Sequence, residues 1–232
     1  MNEKVIWDFL LQKTGNTYGT AAIMGNLMAE SSMNPRCVTG LAKTGYPNEA
    51  QYILASDDGV HDFAHDGAAF GLVQWCYYTR KGGLQAYAKQ TGRSIADLQT
   101  QLEYLVKEMS ESYKTVWKAV TEAKDIRTAS DVVMLKYEKP ATTTETAKKK
   151  RADYGKLFYI EYGIPDPEPQ PSGKKMVRAR ARGQVNIRSG PGKNNPILGE
   201  LKGNRTAELL STENGWHKIA VYVMAEYAEV IQ

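Results

Sequence analysis

The sequence predicts two domains of different class: a mostly helical α+β domain over residues 1–163 and a small all-β barrel over residues 177–232. Three observations predict it. Before residue 164 the apolar residues recur every three or four positions, the period of a helix. The stretch IPDPEPQPSGKKM, Ile164 to Met176, then holds four prolines among polar residues. After it come short alternating runs broken by glycine-containing turns, the pattern of a small barrel.

Each element follows from local chemistry. Val5, Ile6, Phe9 and Leu10 form one helical stripe, and Leu98, Leu102, Leu105, Val106 and Met109 form another. Asp131 to Tyr137 reads as a short helix, and Thr144 to Tyr162 as the last of the domain. Between Ser31 and Phe70 scattered Gly, Asp and Pro interrupt the period, which predicts a long irregular or β-containing region. Loops of such length in compact domains usually carry function. Each proline of residues 164–176 lacks a donor and restricts its predecessor, so that segment reads as an extended linker. Beyond it, strands are expected at Val177 to Arg182, Val185 to Ile187, Ile197 to Leu201, Thr206 to Leu210, Trp216 to Ile219 and Val221 to Val223. The turns between them are SGPG at Ser189 to Gly192 and ENG at Glu213 to Gly215.

Composition narrows the function. With 42% hydrophobic and 24% charged residues, the chain has the make-up of a water-soluble globular protein. A rod or a disordered chain would depart from those proportions. The formal charge is +4, and from Pro165 onward there are 10 basic against 7 acidic residues. Such a bias suits an anionic polymer but is too small to point to nucleic acid. A membrane span needs a run of roughly 18 apolar residues. No run in this chain approaches that length. Cys37 and Cys76 are too few for a disulfide framework or a thiolate zinc site and are expected to be buried free thiols.

The first chemical candidate is Glu30. In TAAIMGNLMAE, Thr20 to Glu30, the residues Ile23, Leu27 and Glu30 fall at i, i+4 and i+7 on one helix face. Glu30 thus extends an apolar stripe at a helix C-terminus. Partial burial and the negative end of the helix would both favour the protonated acid, as glycoside cleavage requires. The alternative is an ion pair with a basic residue on an exposed last turn.

The segment GNLMAESSMNP, Gly25 to Pro35, resembles the motif of lysozyme-like muramidases and lytic transglycosylases, in which a helix ends in Glu-Ser before Asn-Pro. FGLVQW, Phe70 to Trp75, resembles the Gly-Leu-x-Gln signature of the same superfamily. The run CYYTRKGGLQAYAK at Cys76 to Lys89, DLQTQLEYLVKEM at Asp97 to Met109, YEKPA at Tyr137 to Ala141 and RADYGKLFY at Arg151 to Tyr159 bring the chain closer to the phage tail-associated lysozyme family and its relatives in phage and mobile-element lysins. The resemblance covers nearly all of residues 1–163 and implies a lysozyme-like α+β fold that cuts peptidoglycan glycan strands, without cofactor or metal. By resemblance Glu30 is the proton donor and Gln74 a groove residue that positions sugar. Trp75, Tyr77 and Tyr78 are candidates to stack on sugar, with core packing as the plain alternative, and Tyr137 is a further groove candidate.

A muramidase often needs a second carboxylate, whereas a lytic transglycosylase does not, because a hydroxyl of the sugar attacks. Candidates in the irregular region are Glu49, Asp57, Asp58, Asp62 and Asp66, with Asp57 favoured because it precedes Gly59 in an expected turn. Glu138 is another, although an ion pair with one of Lys148 to Lys150 is the simpler expectation.

The motif NIRSGP at Asn186 to Pro191 and the Gly215–Trp216 pair resemble bacterial SH3-like wall-binding domains. Val221 stands where that family commonly has glycine. Arg178, Arg180 and Arg182 alternate, so on a regular strand they would share a face and could meet wall carboxylates, or else form a solvated edge. A tethered binding domain raises the local concentration of the catalytic one. The N-terminus, with Glu3, Trp7 and Asp8, lacks the regions of a signal peptide, which predicts cytoplasmic synthesis and delivery to the wall by other means. Rival chemistries are a cysteine amidase or endopeptidase from Cys37 or Cys76 with His61 or His65, zinc chemistry from the two histidines, and a non-catalytic wall-binding tail protein.

Overall fold

In the computed structural model, residues 3–163, 175–178, 184–202 and 206–221 are described. The chain divides into two compact units, residues 1–164 and 165–232. Most of the expected linker, residues 164–174, lies outside the described residues, as do Arg180, Arg182 and the closing segment from residue 222.

The first unit is built around α2 (Thr17–Ser31), from Gly19 to Leu27 buried without interruption. A helix apolar all round belongs inside a core. Packed against α2 are α1 (Glu3–Thr14), α6 (Lys114–Thr121), α7 (Ile126–Val132) and α8 (Glu145–Phe158). Its start is fixed by Asn16, whose side chain accepts from the Gly19 amide at 2.9 Å and donates to the carbonyls of Thr121 and Ala123. Side-chain caps from Asn48, Asp97, Asp125 and Thr144 likewise start α3 (Glu49–Asp57), α5 (Leu98–Ser112), α7 and α8.

Between Ser31 and Phe70 the chain is not wholly irregular. It contains β1 (Val38–Thr39), a 3-10 turn (Leu41–Lys43) and α3, and ends in β2 (Ala69–Phe70), which pairs antiparallel with β1. The short helix α3 escaped the sequence reading because only Tyr52, Ile53 and Ser56 of it are buried, too few for a clear stripe. The amphipathic signal is also weak in α4 (Tyr78–Thr91), where only Lys81, Leu84 and Ala88 are buried. The helix expected at Asp131 to Tyr137 is the end of α7 continued by a π turn, Val133–Glu138, and the last helix runs on from α8 into a π turn, Tyr159–Gly163.

Two glycines decide how α8 lies on α2. A Cβ at Gly25 would stand 2.2 Å from the Arg151 carbonyl oxygen, and one at Gly155 would stand 2.7 Å from that of Ala21. The backbones therefore touch where side chains would otherwise hold them apart, and this contact carries Arg151 to the end of α2. Among the described residues no helix is long and apolar enough to cross a membrane.

In the second unit the described strands are β3 (Met176–Arg178), β4 (Gln184–Arg188), β5 (Ile197–Lys202), β6 (Thr206–Glu213) and β7 (Trp216–Ala220). They form a three-stranded sheet, β3-β6-β7, and an antiparallel pair, β4-β5. Asn214 and Gly215, at φ 50° and 78°, make the tight turn that joins β6 to β7. Positive φ at both central positions is what an Asn-Gly pair supplies. The SGPG segment begins the β4–β5 connection, closed by the Ser189 amide on the Pro196 carbonyl at 3.0 Å.

Replacing Gly25 by alanine is expected to lower stability by about 1–3 kcal/mol despite the better helix propensity of alanine, because the added methyl overpacks the α2–α8 contact. Thermal unfolding of the G25A protein measures it.

Candidate active site

Glu30 lies in the last turn of α2, its side chain 17% exposed, with Ile23 and Leu27 fully buried behind it. It does pair with a basic residue, yet not on an exposed turn: the partner is Arg151 of α8, whose side chain is 10% exposed. The Nε of Arg151 is buried with no hydrogen-bond partner.

The chain leaves α2 through Ser32 and Met33, at φ 52° and 58°. The left-handed region costs a non-glycine residue about 1–2 kcal/mol. Such conformations persist only where the surroundings impose them, and they gather at functional sites. Here the surroundings are visible: the Ser31 hydroxyl donates to the Leu72 carbonyl at 2.9 Å, so the residue after Glu30 is bonded into the Gly71–Gln74 turn.

That turn is closed by paired bonds between the backbones of Phe70 and Trp75. Gln74 also has a positive φ, 53°, and its amide nitrogen donates to the carbonyls of Gly71 and Cys37 at 2.9 and 3.2 Å. Its Oε1 has no partner. Gln101 locks the arrangement from α5. It accepts from the Leu72 amide at 2.8 Å and donates to the carbonyls of Pro35 and Ile95, so one buried amide clamps both motif loops. Gly71 is required there, since a Cβ would meet the Gln101 side chain at 2.6 Å.

Trp75 and Tyr137, expected along the groove, are core residues. Both are fully buried, and each donates to Glu108 of α5, at 3.0 and 2.6 Å. Arg80 adds a two-pronged bond to the same carboxylate at 2.7 and 2.8 Å. Paired guanidinium–carboxylate bonds of this kind are among the strong ones. Arg80 also donates to the Tyr137 carbonyl at 3.2 Å. A ring packed in this way has no face left for sugar. Tyr78 is different: it is half exposed at the start of α4, stacked on His65 with centroids 5.5 Å apart and beside the exposed Tyr77.

Glu138 closes the π turn that follows α7. The expected pairing with Lys148 to Lys150 does not form. Lys148 bonds Glu145, Lys149 bonds Asp153, and Lys150 lies over the Tyr154 ring. Instead the Oε1 of Glu138 is buried without a partner. Burial pushes its carboxyl well above the usual range, and the negative charge of Glu30 pushes it further, against the pull of Arg80 and Arg151.

The other carboxylates of the irregular region are engaged elsewhere. Asp57, the favoured candidate, is not in a turn but is the last residue of α3, and it accepts from the Ile95 amide at 2.8 Å. Asp58 caps the same helix end through its backbone, Glu49 pairs with Arg36 at 3.6 Å, and Asp62 bonds His65. Asp66 is the centre of a buried network. It pairs with the fully buried Lys81 and also takes bonds from Tyr52 at 2.7 Å, His61 at 2.9 Å and the Ala68 amide at 2.8 Å. Burial opposes its charge, but these donors outweigh burial and hold its carboxyl below the usual carboxylate range.

The cysteines are free; Cys37 is half-buried, and Cys76 is exposed rather than buried. Burial pushes the Cys37 thiol up, the wrong direction for a nucleophile. Among the described residues no three His, Cys, Asp or Glu side chains are gathered as a metal site would need. A cavity of about 430 Å³ lined by Arg80, Tyr87, Tyr104 and Glu111 includes neither Glu30 nor Gln74.

Arg151, Gln101, Glu108, Arg80 and Lys81 were not singled out from the sequence. Each nevertheless lies in a segment that carries the family resemblance: Arg80 and Lys81 in CYYTRKGGLQAYAK, Gln101 and Glu108 in DLQTQLEYLVKEM, and Arg151 in RADYGKLFY.

A helical domain that binds a glutamate-bearing helix end to a glutamine-bearing turn is what a glycosidase of the lysozyme kind presents. The chain belongs to the phage tail lysozyme family, with a match that spans residues 1–162. Membership makes it a glycosidase-type enzyme whose substrate class is peptidoglycan, acting at the cell wall. No curated protein matches the chain.

Because the native Asp66 carboxyl titrates below its unfolded value, its contribution to stability is present above the unfolded value of ~3.9 and is lost as pH falls through the native one. Thermal unfolding from pH 3 to 7 is expected to show this acid-side loss. In Asp66→Asn the loss should shrink, and stability at pH 7 should drop by about 3–5 kcal/mol because Lys81 is left unpaired.

Proposed function

We propose that the first unit hydrolyses the glycan strand of bacterial peptidoglycan as an N-acetylmuramidase, with Glu30 as general acid. The observation that carries this is the bond from Ser31 to Leu72, because it joins the glutamate-bearing helix end to the turn that holds Gln74. In the reaction the proton of Glu30 passes to the leaving glycosidic oxygen as the bond to the anomeric carbon breaks. A water oxygen bonds to that carbon, and a proton from the water restores the acid. Gln74 braces the turn that is bonded to the end of α2, and Tyr77 and Tyr78 offer exposed ring faces to pyranose C–H surfaces.

One observation favours a second reading, lytic transglycosylation. Asp57 is held by the Ile95 amide and Asp66 by Lys81, so neither is free to activate water. A transglycosylase needs only the acid, since a hydroxyl of the sugar attacks the anomeric carbon.

The Glu30→Gln protein is expected to lose about 10²–10⁴-fold in the rate of sacculus clearing, together with some thermal stability because Arg151 loses its charged partner. A variant that clears sacculi as fast as the parent refutes the assignment. Mass spectrometry of the released fragments separates the two readings, with reducing-end sugars from hydrolysis and anhydro-sugars from transglycosylation.

The second unit is proposed as an SH3-like wall-binding module joined through the proline-rich segment. Removing residues 164–232 is expected to lower co-sedimentation with sacculi and to leave turnover of soluble glycan unchanged. Unchanged co-sedimentation would remove the binding role.

A further inference from the structure

Two arginine–glutamate pairs lie largely out of solvent in the first unit, and they differ in how the guanidinium is used. Arg80 closes both arms of its fork on Glu108, Nε to one carboxylate oxygen at 2.7 Å and Nη2 to the other at 2.8 Å. Arg151 meets Glu30 with one arm, Nη2 on Oε1. Its Nε, on the same edge of the guanidinium, is buried with no acceptor. Among the described residues the Nη2 contact is the one hydrogen bond of the Glu30 carboxyl, so Oε2 is left open. Buried donors without acceptors are rare in native folds, and each calls for a reason. Arg151 is not placed to move in search of a partner. Its backbone lies against α2, where a Cβ at Gly25 would stand 2.2 Å from the Arg151 carbonyl oxygen, and its side chain is nine-tenths buried.

We propose that Arg151 is a positioning residue for the general acid: its Nη2 holds Oε1 of Glu30 so that Oε2 carries the proton for the glycosidic oxygen, and its free Nε receives Oε2 once that proton has left. The idea rests on the assignment of Glu30 as the acid. A protonated carboxyl keeps a carbonyl oxygen that accepts, so the Nη2 bond survives protonation, whereas a second bond from Nε needs the carboxylate. As the bond to the anomeric carbon breaks, its electron pair stays on the leaving oxygen, and the proton of Oε2 moves there. Glu30 is then ionised and closes the fork in the way Glu108 closes that of Arg80. A contact that forms as charge develops lowers the barrier without tightening the binding of substrate. A proton from the attacking water or sugar hydroxyl returns to Oε2 and opens the fork again. Arg151 itself touches no reacting atom, and hydrolysis and transglycosylation use the arrangement alike.

The test compares kcat and KM on soluble glycan strands for the parent, Arg151→Met and Arg151→Lys, with rates taken per folded molecule from the thermal unfolding of each. Methionine is expected to lower kcat by about 10²-fold or more and to leave KM nearly unchanged. Lysine supplies charge and one arm without the second, so it is expected to restore part of the loss. A parental kcat in either variant, or a loss carried by KM, overturns the proposal. Proton NMR of the Arg151 Nε–H gives a readout that does not depend on the folding of either Arg151 variant. Followed from about pH 4 to 8, that resonance is expected to move downfield in the parent as Nε gains its acceptor, and to lack this movement in Glu30→Gln. Other carboxyls titrate in both proteins, so the difference belongs to Glu30. A resonance that behaves alike in the two overturns the proposal. If Glu30→Gln cleaves glycan as fast as the parent, the assignment of the acid fails. If that variant is inactive while Arg151→Met keeps the parental kcat, only the role of Arg151 fails.

Discussion

The close crossing of α2 and α8 is the constraint on which the site depends. Gly25 and Gly155 remove the two side chains that would keep the helices apart, and each backbone then rests on a carbonyl of the other. Arg151 is brought by this contact to Glu30, from 121 residues away in the chain. A helix packed at ordinary distance would leave the guanidinium short of the carboxylate. The glycine of the first motif is thus a spacing device for an electrostatic contact, and its value is geometric rather than conformational.

A second theme is that this domain keeps charges inside its core and pairs each with several donors. Glu108 takes bonds from Trp75, Tyr137 and Arg80, while Asp66 takes them from Lys81, Tyr52, His61 and an amide. Networks of this kind lock geometry only when every member is satisfied, since an unpaired buried charge is costly. Glu108 and Asp66 satisfy that condition and hold the Phe70–Trp75 turn from its two sides, through Trp75 and through Ala68. Glu138 and Gln74, by contrast, each keep an oxygen without a partner.

Much of the fold was legible in the sequence because it rests on local rules. The helix that carries Glu30, the apolar stripe of α5, the Asn-Gly turn before Trp216 and the change to strands after the prolines all follow from spacing within a few residues. The reading failed where local signal was thin or misleading. α3 buries only three residues, and the end of α7 winds into a π turn that the α-helical period does not describe. Trp75 and Tyr137 look like sugar platforms by residue type, yet their polar tips are bonded to Glu108 in the core. Residue type could not distinguish a ring that faces solvent from one that faces a buried acid.

The sequence by itself determined that a glutamate ends an apolar helix face, that a glutamine-bearing turn follows, and that the family is one of wall lysozymes. Tertiary structure alone decided which charges surround that glutamate. Periodicity reports on neighbours a turn apart, whereas the partner of Glu30 is Arg151, far onward in the chain and on another element. Electrostatic energy depends on distance in space and on exclusion of water, and neither quantity is written in the spacing of a chain.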